Sequence, residues 1–205
     1  MPHLHQHPIV DQSFAVIDRE MGEHSFSKQE YAIIRRVIHT TADFEFQRLI
    51  RIGPGAIAAG IRAIQQKTPI VTDVRMVEQG SQAMVSRTFE NVMMPAIAMG
   101  DAPPPGQTRS AAGMARALAH YPQAIVVVGN APTALLAVCE AIAAGTASPA
   151  LVIGAPVGFI AVTESKQALA ATDIPQIRVE GRKGGSGVAA AILNALVVMA
   201  WEALP

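Results

Sequence analysis

The stretch AIVVVGNAP at residues 124–132 decides the fold class of this chain of 205 residues. Its first five residues are apolar and mostly β-branched, which is typical of a central strand buried on both faces of a parallel sheet. Gly129 then permits a tight turn, and Pro132 suits the first position of a helix. Such a strand–turn–helix unit predicts an α/β protein, and its turn is expected to offer free backbone N–H groups to an anion.

Further strand-like segments lie on both sides of this stretch, at residues 69–73, 91–99, 150–153 and 176–180. They alternate with helical segments, which indicates a parallel sheet with right-handed crossovers. We therefore predict a flavodoxin-like doubly wound α/β fold, with a parallel sheet of about five strands between two helical layers. A single domain over residues 1–205, with a short N-terminal tail at 1–8, is expected. Asp73 closes its strand at the carboxyl edge, where open α/β sheets bind ligands.

The composition narrows the class of protein. Hydrophobic residues make up 50% of the chain, but the longest apolar run, at residues 188–201, is interrupted by Asn194, so no transmembrane segment is predicted. Lys+Arg and Asp+Glu are both 16, which argues against a nucleic-acid partner. The N-terminus lacks the pattern of a secretory signal, and the single cysteine, Cys139, fits a reducing compartment and an inert core thiol. These features predict a soluble cytoplasmic protein.

A second informative stretch is RRVIHTTADF at residues 35–44, where a strongly patterned helix ends. Upstream, Ser27 and Glu30 have the spacing of a capping box, which predicts the start of that helix. His39 therefore lies near the helix C-terminus, where the helix dipole favours the protonated ring. A histidine in this position is a candidate proton donor near neutral pH. The alternative is a histidine that only caps free backbone carbonyls.

Two further segments offer groups that bind anions. Arg109 follows a proline-rich break and a potential N-cap, Thr108, at the start of an alanine-rich helix, where the dipole disfavours a cation. It is either a carboxylate clamp or a surface arginine whose stem packs on apolar neighbours. Residues 181–187, GRKGGSG, precede the last helix and combine flexible glycines with two cations, Arg182 and Lys183. Neither segment is a known dinucleotide or phosphate-loop motif.

The remaining histidines carry weaker signals. His3, His5 and His7 alternate, so on an extended segment they would share one face and could chelate a metal. Terminal segments are usually mobile, and no functional metal site is predicted. His24 and His120 are expected to be surface residues.

Several segments resemble, in matching order, those of the precorrin-8X and cobalt-precorrin-8 methylmutases of cobalamin (vitamin B12) biosynthesis. The resemblance spans nearly the whole chain, from Ser13 to Asn194. The segments are DQSFAVI (11–17), RRVIHTTADF (35–44), TRSAA (108–112), GNAPTAL (129–135), PVGF with ESK (156–166) and GRKGGS (181–186).

The resemblance implies an isomerase that moves a methyl group from C-11 to C-12 of a corrin precursor, giving hydrogenobyrinate or, with cobalt, cobyrinate. His39 would be the catalytic proton donor. The residues expected to bind the substrate are Ser13, Arg109, Asn130, Thr133, Gly184, Gly185 and Ser186, with Arg182 and Lys183 as weaker candidates. The shift is intramolecular, so no cofactor, methyl donor or metal beyond the substrate's own cobalt is expected. HTTADF and GRKGG favour the cobalt-containing branch. A homodimer with substrate near the subunit contact is also implied.

Two other functions stay open from the residues alone. One is a non-catalytic tetrapyrrole-binding protein on the same scaffold. The other is a nucleotide- or flavin-binding flavodoxin-like domain, although aromatic residues are only 4% of the chain and offer few stacking partners for a flavin.

Overall fold

A six-stranded sheet organises residues 7–204, the part of the chain that the computed structural model describes. Across the sheet the strand order is β1-β6-β5-β4-β2-β3. All neighbours are parallel except β1, which pairs antiparallel with β6. The strands are β1 (Ile50–Ile52), β2 (Ile70–Thr72), β3 (Met93–Pro95), β4 (Ile125–Val128), β5 (Leu151–Gly154) and β6 (Gln176–Val179).

Helices cover both faces of this sheet. On one face α9 packs against α2, α4 and α5, and on the other α7 packs against α6 and α8. Over the described residues these helices are α1 (Pro8–Met21), α2 (Lys28–Thr41), α3 (Phe46–Leu49), α4 (Ala56–Gln65), α5 (Arg75–Ser86), α6 (Arg109–His120), α7 (Pro132–Ala143), α8 (Val162–Ala170) and α9 (Ser186–Glu202). None of the helices in this part of the chain is long and apolar enough to cross a membrane.

The topology confirms the predicted doubly wound fold. If the five parallel strands are numbered along the chain, their order across the sheet is 2-1-3-4-5, which is the flavodoxin-like arrangement. Strand order therefore reverses between β2 and β4. Loops that leave the carboxyl ends of these two strands diverge there and form a crevice, which is where such sheets bind ligands.

The predicted strand count needs a correction, because β1 was not predicted and makes the sheet mixed. Its three residues are too few to show an alternating pattern, and it is recognisable only by its partner. Ile50 lies opposite Val179 and Ile52 opposite Ile177, so β1 covers the free edge of β6. The strand predicted at residues 91–99 is also shorter, because the chain turns into a 3₁₀ helix at Ala96–Met99 directly after Pro95.

Two apolar cores lie on the two faces of the sheet. The first is built from α2, α4, α5 and α9, and the second from α6, α7 and α8. Cys139 is buried in the second core, and this burial raises the pKa of its thiol to about 11. An unreactive thiolate-poor cysteine is the result, as the sequence predicted.

Candidate active site

The helix that carries His39 begins and ends as its sequence predicts. The Ser27 hydroxyl accepts from the Glu30 N–H at 3.3 Å, and the Glu30 carboxylate accepts from the Ser27 N–H at 2.8 Å. At the other end Ala42 adopts a left-handed conformation with φ 53°, and its N–H donates to the Ile38 carbonyl. Because one face of α2 is buried against the first core, the last turn places His39 on the exposed side.

The His39 ring is held by an aromatic contact rather than by a cap. Its centroid lies 5.2 Å from that of Phe14 in an edge-on arrangement. Across residues 7–204 the ring makes no hydrogen bond to a backbone carbonyl, so the alternative of a capping histidine is not supported. The imidazole nitrogens are therefore available to a ligand.

Ser13 lies beside Phe14 on α1, the helix that contacts His39. Its hydroxyl donates to the Ile9 carbonyl one turn earlier, at 2.8 Å, so only its lone pairs remain for a ligand. Helix α1 is itself tied to α2 by the ion pair between Asp18 and Arg35, at 3.0 Å. No hydrogen bond joins Ser13 to His39 in the described residues.

The glycine-rich segment at residues 181–186 packs closely on the loop after β5, and we call it the open turn. A Cβ atom at Gly184, which has φ +155°, would lie 2.3 Å from the Ala155 carbonyl oxygen, so only glycine fits there. The Gly185 N–H donates to the same carbonyl at 2.8 Å. The turn is thus held against the loop after β5 through its backbone.

The start of α9 has no cap of its own. Gly185 is its N-cap and supplies no side chain, and the structure from 7 to 204 offers no acceptor for the N–H groups of Ser186 and Gly187. A Cβ at Gly187 would lie 3.5 Å from the Thr40 methyl group, which places this helix start next to the end of α2. Free N–H donors and the His39 ring therefore share one rim of the molecule.

Lys166 supports the open turn from its buried side, a role that was not predicted from the sequence. Its side chain is buried, and its ammonium donates to the carbonyls of Gly181 and Lys183, at 2.7 Å each. Burial lowers the pKa of Lys166 to about 8. The ESK segment that the sequence singled out thus contains a side chain that shapes the turn without reaching the surface.

Lys183 is not the free cation that a substrate-binding role requires. Its ammonium lies 2.5 Å from Asp43 and 2.6 Å from Glu45, in the segment that follows α2. The hydrogen bond from Lys183 lowers the pKa of the Asp43 carboxyl, and the same bond raises the pKa of Lys183. These bonds link the open turn to the end of the His39 helix. Arg182 remains exposed, 5.7 Å from the centre of the Phe159 ring.

The turn after β4, at residues 129–132, has a different fate, and we call it the filled turn. The carboxylate of Asp73 accepts from the N–H groups of Gly129, Asn130 and Ala131, at 3.0, 2.8 and 2.7 Å. Asp73 is fully buried; this burial raises the pKa of its carboxyl, while the three hydrogen bonds oppose that shift. The prediction that these N–H groups are free for an anion is therefore wrong. Only the Asn130 side chain stays exposed there.

Arg109 and Thr133 lie at neighbouring helix starts. Thr108 caps α6 by accepting from the Ala111 N–H at 3.2 Å, and its hydroxyl is 2.7 Å from that of Thr133 at the start of α7. Arg109 is largely exposed and donates to Asp101 at 2.8 Å. Its guanidinium stands free of the core, which is compatible with a clamp.

Gly129 joins the two halves of the site. A Cβ atom there would lie 2.8 Å from the Cα of Ser186, so the filled turn packs directly on the start of α9. His39 and the open turn therefore lie on one side of the crevice, and Asn130, Thr133 and Arg109 lie on the other. Both sides belong to the carboxyl edge, at the reversal of strand order between β2 and β4.

The other histidines lie elsewhere. His24 stacks on Tyr31 at 4.1 Å near the opposite end of α2, and His120 ends α6; both are exposed, as predicted. His7 is the N-cap of α1, where its Nδ1 accepts from the Ile9 N–H at 3.3 Å. His3 and His5 lie outside the described residues. Residues 7–204 hold no cluster of three or more metal-binding side chains.

Together these features define a class of protein. It is a doubly wound α/β protein with a ligand site at the carboxyl edge of its sheet, in which one free imidazole faces a set of anion-binding groups. Known proteins narrow this class further. A profile of the precorrin-8X methylmutase family matches residues 8–199, and the chain belongs to that family.

Individual relatives agree over almost their full length. The chain is 54% identical to a cobalt-precorrin-8 methylmutase of Synechocystis, with 96% of this chain and 97% of the relative covered. It is 41% identical to a cobalt-precorrin-8 methylmutase of Priestia megaterium, covering 94% and 87%. A crystal structure of the precorrin-8X methylmutase of Thermus thermophilus matches with a TM-score of 0.89 and 44% identity, covering 95% and 96%.

Proposed function

We propose that this chain is an isomerase of cobalamin biosynthesis that moves a methyl group from C-11 to C-12 of cobalt-precorrin-8, or of its metal-free counterpart, to give cobyrinate or hydrogenobyrinate. The observation that carries the proposal is the exposed His39 ring, which is oriented by Phe14 and lies beside the uncapped start of α9. Membership of the methylmutase family supports the reaction class.

The chemistry asks little of the protein beyond positioning and one proton. The methyl group leaves one ring carbon and joins its neighbour within the same molecule, so no methyl donor or redox partner takes part. A proton or hydrogen bond delivered to the conjugated macrocycle draws electron density from the migrating centre and eases the shift. His39 is the group assigned to this step, because it is the free imidazole at the site.

Binding of the substrate relies on its peripheral carboxylates. Arg109 suits a bidentate contact, since its guanidinium matches a carboxylate in shape and charge. On the opposite side, the free N–H groups at the start of α9 can donate to a second carboxylate at the positive end of that helix. Ser13, Asn130 and Thr133 would add single hydrogen bonds. Anchoring on both sides of the crevice holds the ring plane against His39.

The cobalt-loaded form of the substrate is the preferred one in this proposal. The relatives from Synechocystis and Priestia megaterium both carry the name cobalt-precorrin-8 methylmutase. Turnover of cobalt-precorrin-8 should therefore exceed that of the metal-free compound when both are assayed with the same preparation. A preference for the metal-free compound would contradict this part.

A cytoplasmic homodimer is the proposed form of the enzyme. Phe159 and Ile160, at 82% and 83% exposed, stand on the loop after β5 beside the open turn. Exposed apolar side chains of this size favour burial against another surface. A second copy of the chain would cover these side chains near the substrate site. Light scattering of the purified protein should therefore give the mass of two chains, and the mass of one chain would contradict the proposal.

The direct test is to mix purified protein with cobalt-precorrin-8 and follow the spectral change of the rearranged ring. His39→Ala should bind the corrinoid but lower turnover by about 10²–10⁴-fold, the usual contribution of a general acid. His24→Ala, which removes an exposed histidine from the loop just before the same helix, is the matched control and should keep full activity. Binding by wild type without any spectral change would instead indicate a corrinoid carrier, and an active His39→Ala variant would refute the role of the imidazole.

A further inference from the structure

A pocket of about 350 Å³ lies beyond Arg109, at the carboxyl ends of β2 and β3. Its walls come from the start of α5, the 3₁₀ helix after β3, and the segment that leads into α6. The side chains that matter for its chemistry are Arg75, Met76, Asp101 and Arg109. Its volume suits a short carboxylate-bearing side arm, and it is too small for a corrin ring.

Both arginines occupy unfavourable positions for a cation. Arg75 is the first residue of α5 and Arg109 the first residue of α6, so each guanidinium lies at the positive end of a helix dipole. Arg109 has Asp101 as a partner, whereas Arg75 forms no ion pair with any residue between 7 and 204. Two cations, two helix starts and a single carboxylate leave the pocket short of negative charge.

Asp101 occupies the place of a ligand that can exchange. Its side chain is 83% exposed, and it contacts Arg109 through one oxygen at 2.8 Å. Exposed ion pairs of this kind contribute little to stability, so a second carboxylate that meets both guanidinium groups can displace it. Met76, which is 71% exposed at the same entrance, offers an apolar surface to the edge of a macrocycle.

We propose that this pocket is a carboxylate subsite, in which Arg75 acts with Arg109 to bind one peripheral carboxylate of the corrinoid while Asp101 moves aside. The inference rests on the proposed function for the identity of the ligand. It assigns a substrate-binding residue, Arg75, and gives Asp101 the role of a competitor.

The test compares Arg75→Gln with Arg62→Gln, which removes an exposed arginine at the opposite edge of the sheet. Kinetics with cobalt-precorrin-8 and affinity for cobyrinate are measured at low and high NaCl concentration. Arg75→Gln should raise both KM and the cobyrinate Kd about 10-fold with kcat changed less than about 2-fold, and it should weaken the salt dependence of binding. Arg62→Gln should match wild type.

Further variants separate charge from geometry. Arg75→Lys keeps the charge but loses the bidentate fork, so it should recover only part of the affinity. Asp101→Asn removes the competing charge and should lower the cobyrinate Kd about 2- to 3-fold. A fully amidated cobalt corrinoid is the ligand control, because wild type and Arg75→Gln should bind it equally.

The outcomes distinguish the two proposals. If wild type binds cobyrinate, and the Arg75→Gln and Asp101→Asn variants both have the same cobyrinate Kd as wild type, the proposed subsite is wrong while the proposed function stands. If wild type neither binds nor converts the corrinoid, the proposed function fails and the assignment of this ligand to the pocket fails with it.

Discussion

The open turn and the filled turn have the same local design but different roles. Each follows a buried parallel strand, contains glycine and leads into a helix whose N-cap makes no side-chain hydrogen bond. In the filled turn, Asp73 accepts the N–H groups that a ligand would use. In the open turn, Lys166 binds backbone carbonyls from the buried side, and the N–H groups at the start of α9 have no acceptor within the described residues.

This difference shows that a glycine-rich helix start becomes an anion site only when its donors remain unused. A buried carboxylate such as Asp73 uses the N–H donors of its turn, so that turn has only a structural role. A buried ammonium such as Lys166 binds carbonyls instead, which stabilises its turn and leaves the N–H donors free. The filled turn also positions the open turn, because Gly129 packs against the start of α9.

The largest expected effect comes from emptying the filled turn. Asp73→Ala deprives two buried N–H groups and one partly buried N–H group of their acceptor, at about 1–3 kcal/mol for each buried one, so we expect a loss of about 3 kcal/mol or more in the free energy of unfolding. Urea denaturation measures it, with the exposed Asp173→Ala as the control. Sulfate should stabilise Asp73→Ala more than wild type, because the vacated donors can then bind an anion. A loss below 1 kcal/mol would mean that the carboxylate does not hold this turn.

A smaller effect is expected when the open turn loses its support. Lys166→Met keeps the bulk of the side chain but removes two charge-assisted hydrogen bonds, offset by relief of a buried charge, for a net loss of about 1–2 kcal/mol. The corrinoid KM should rise several-fold as the turn loosens. Lys28→Met, at the exposed start of α2, is the matched control. A variant with reduced stability but an unchanged KM would show that Lys166 does not position the binding groups.

The pH dependence of the same variant has a definite sign. The pKa of Lys166 is lowered to about 8 from its ordinary 10.5, so between these values the unfolded chain binds a proton that the folded chain does not. The stability of wild type relative to Lys166→Met should therefore increase as pH rises from about 8 to 10.5, and it should be constant below that window. Denaturation curves at several pH values would reveal the trend, and a difference that falls across this window would contradict it.

The smallest effect is expected from Lys183→Met, which cuts the link between the open turn and the segment after the His39 helix. Lys183 and Glu45 are exposed and Asp43 is only partly buried, so the change in melting temperature should be smaller than for Lys166→Met and should vanish at high salt. The pKa of Asp43 is lowered and that of Lys183 is raised. The contribution is therefore present at neutral pH, and it is lost as acid protonates Asp43 or as alkali deprotonates Lys183. Lys67→Met, at a longer exposed pair, is the control. A salt-independent loss would show that Lys183 does more than form surface pairs.

Local patterns predicted most of the fold. The five parallel strands and the capping box of α2 depend on residues within a few positions of each other, so a short segment of sequence is enough to predict each of them. Strand β1 was missed because three residues carry no period, and only the edge of β6 makes them a strand. Arg109 and His39 were predicted as site residues from their positions at helix ends, whereas Arg75 was not, because no capping side chain marks the start of its helix.

By itself the sequence determined the alternation of strands and helices, the exposed imidazole at the end of α2 and the glycines that allow close backbone approach. These follow from hydrogen bonds and side-chain spacing within one or two turns of chain. The tertiary structure alone decided which glycine-rich turn is free, because Asp73 reaches donors 56 to 58 residues away and Lys166 reaches carbonyls 15 and 17 residues away. Whether a buried donor is used depends on which distant group the fold brings to it, and no local pattern records that partner.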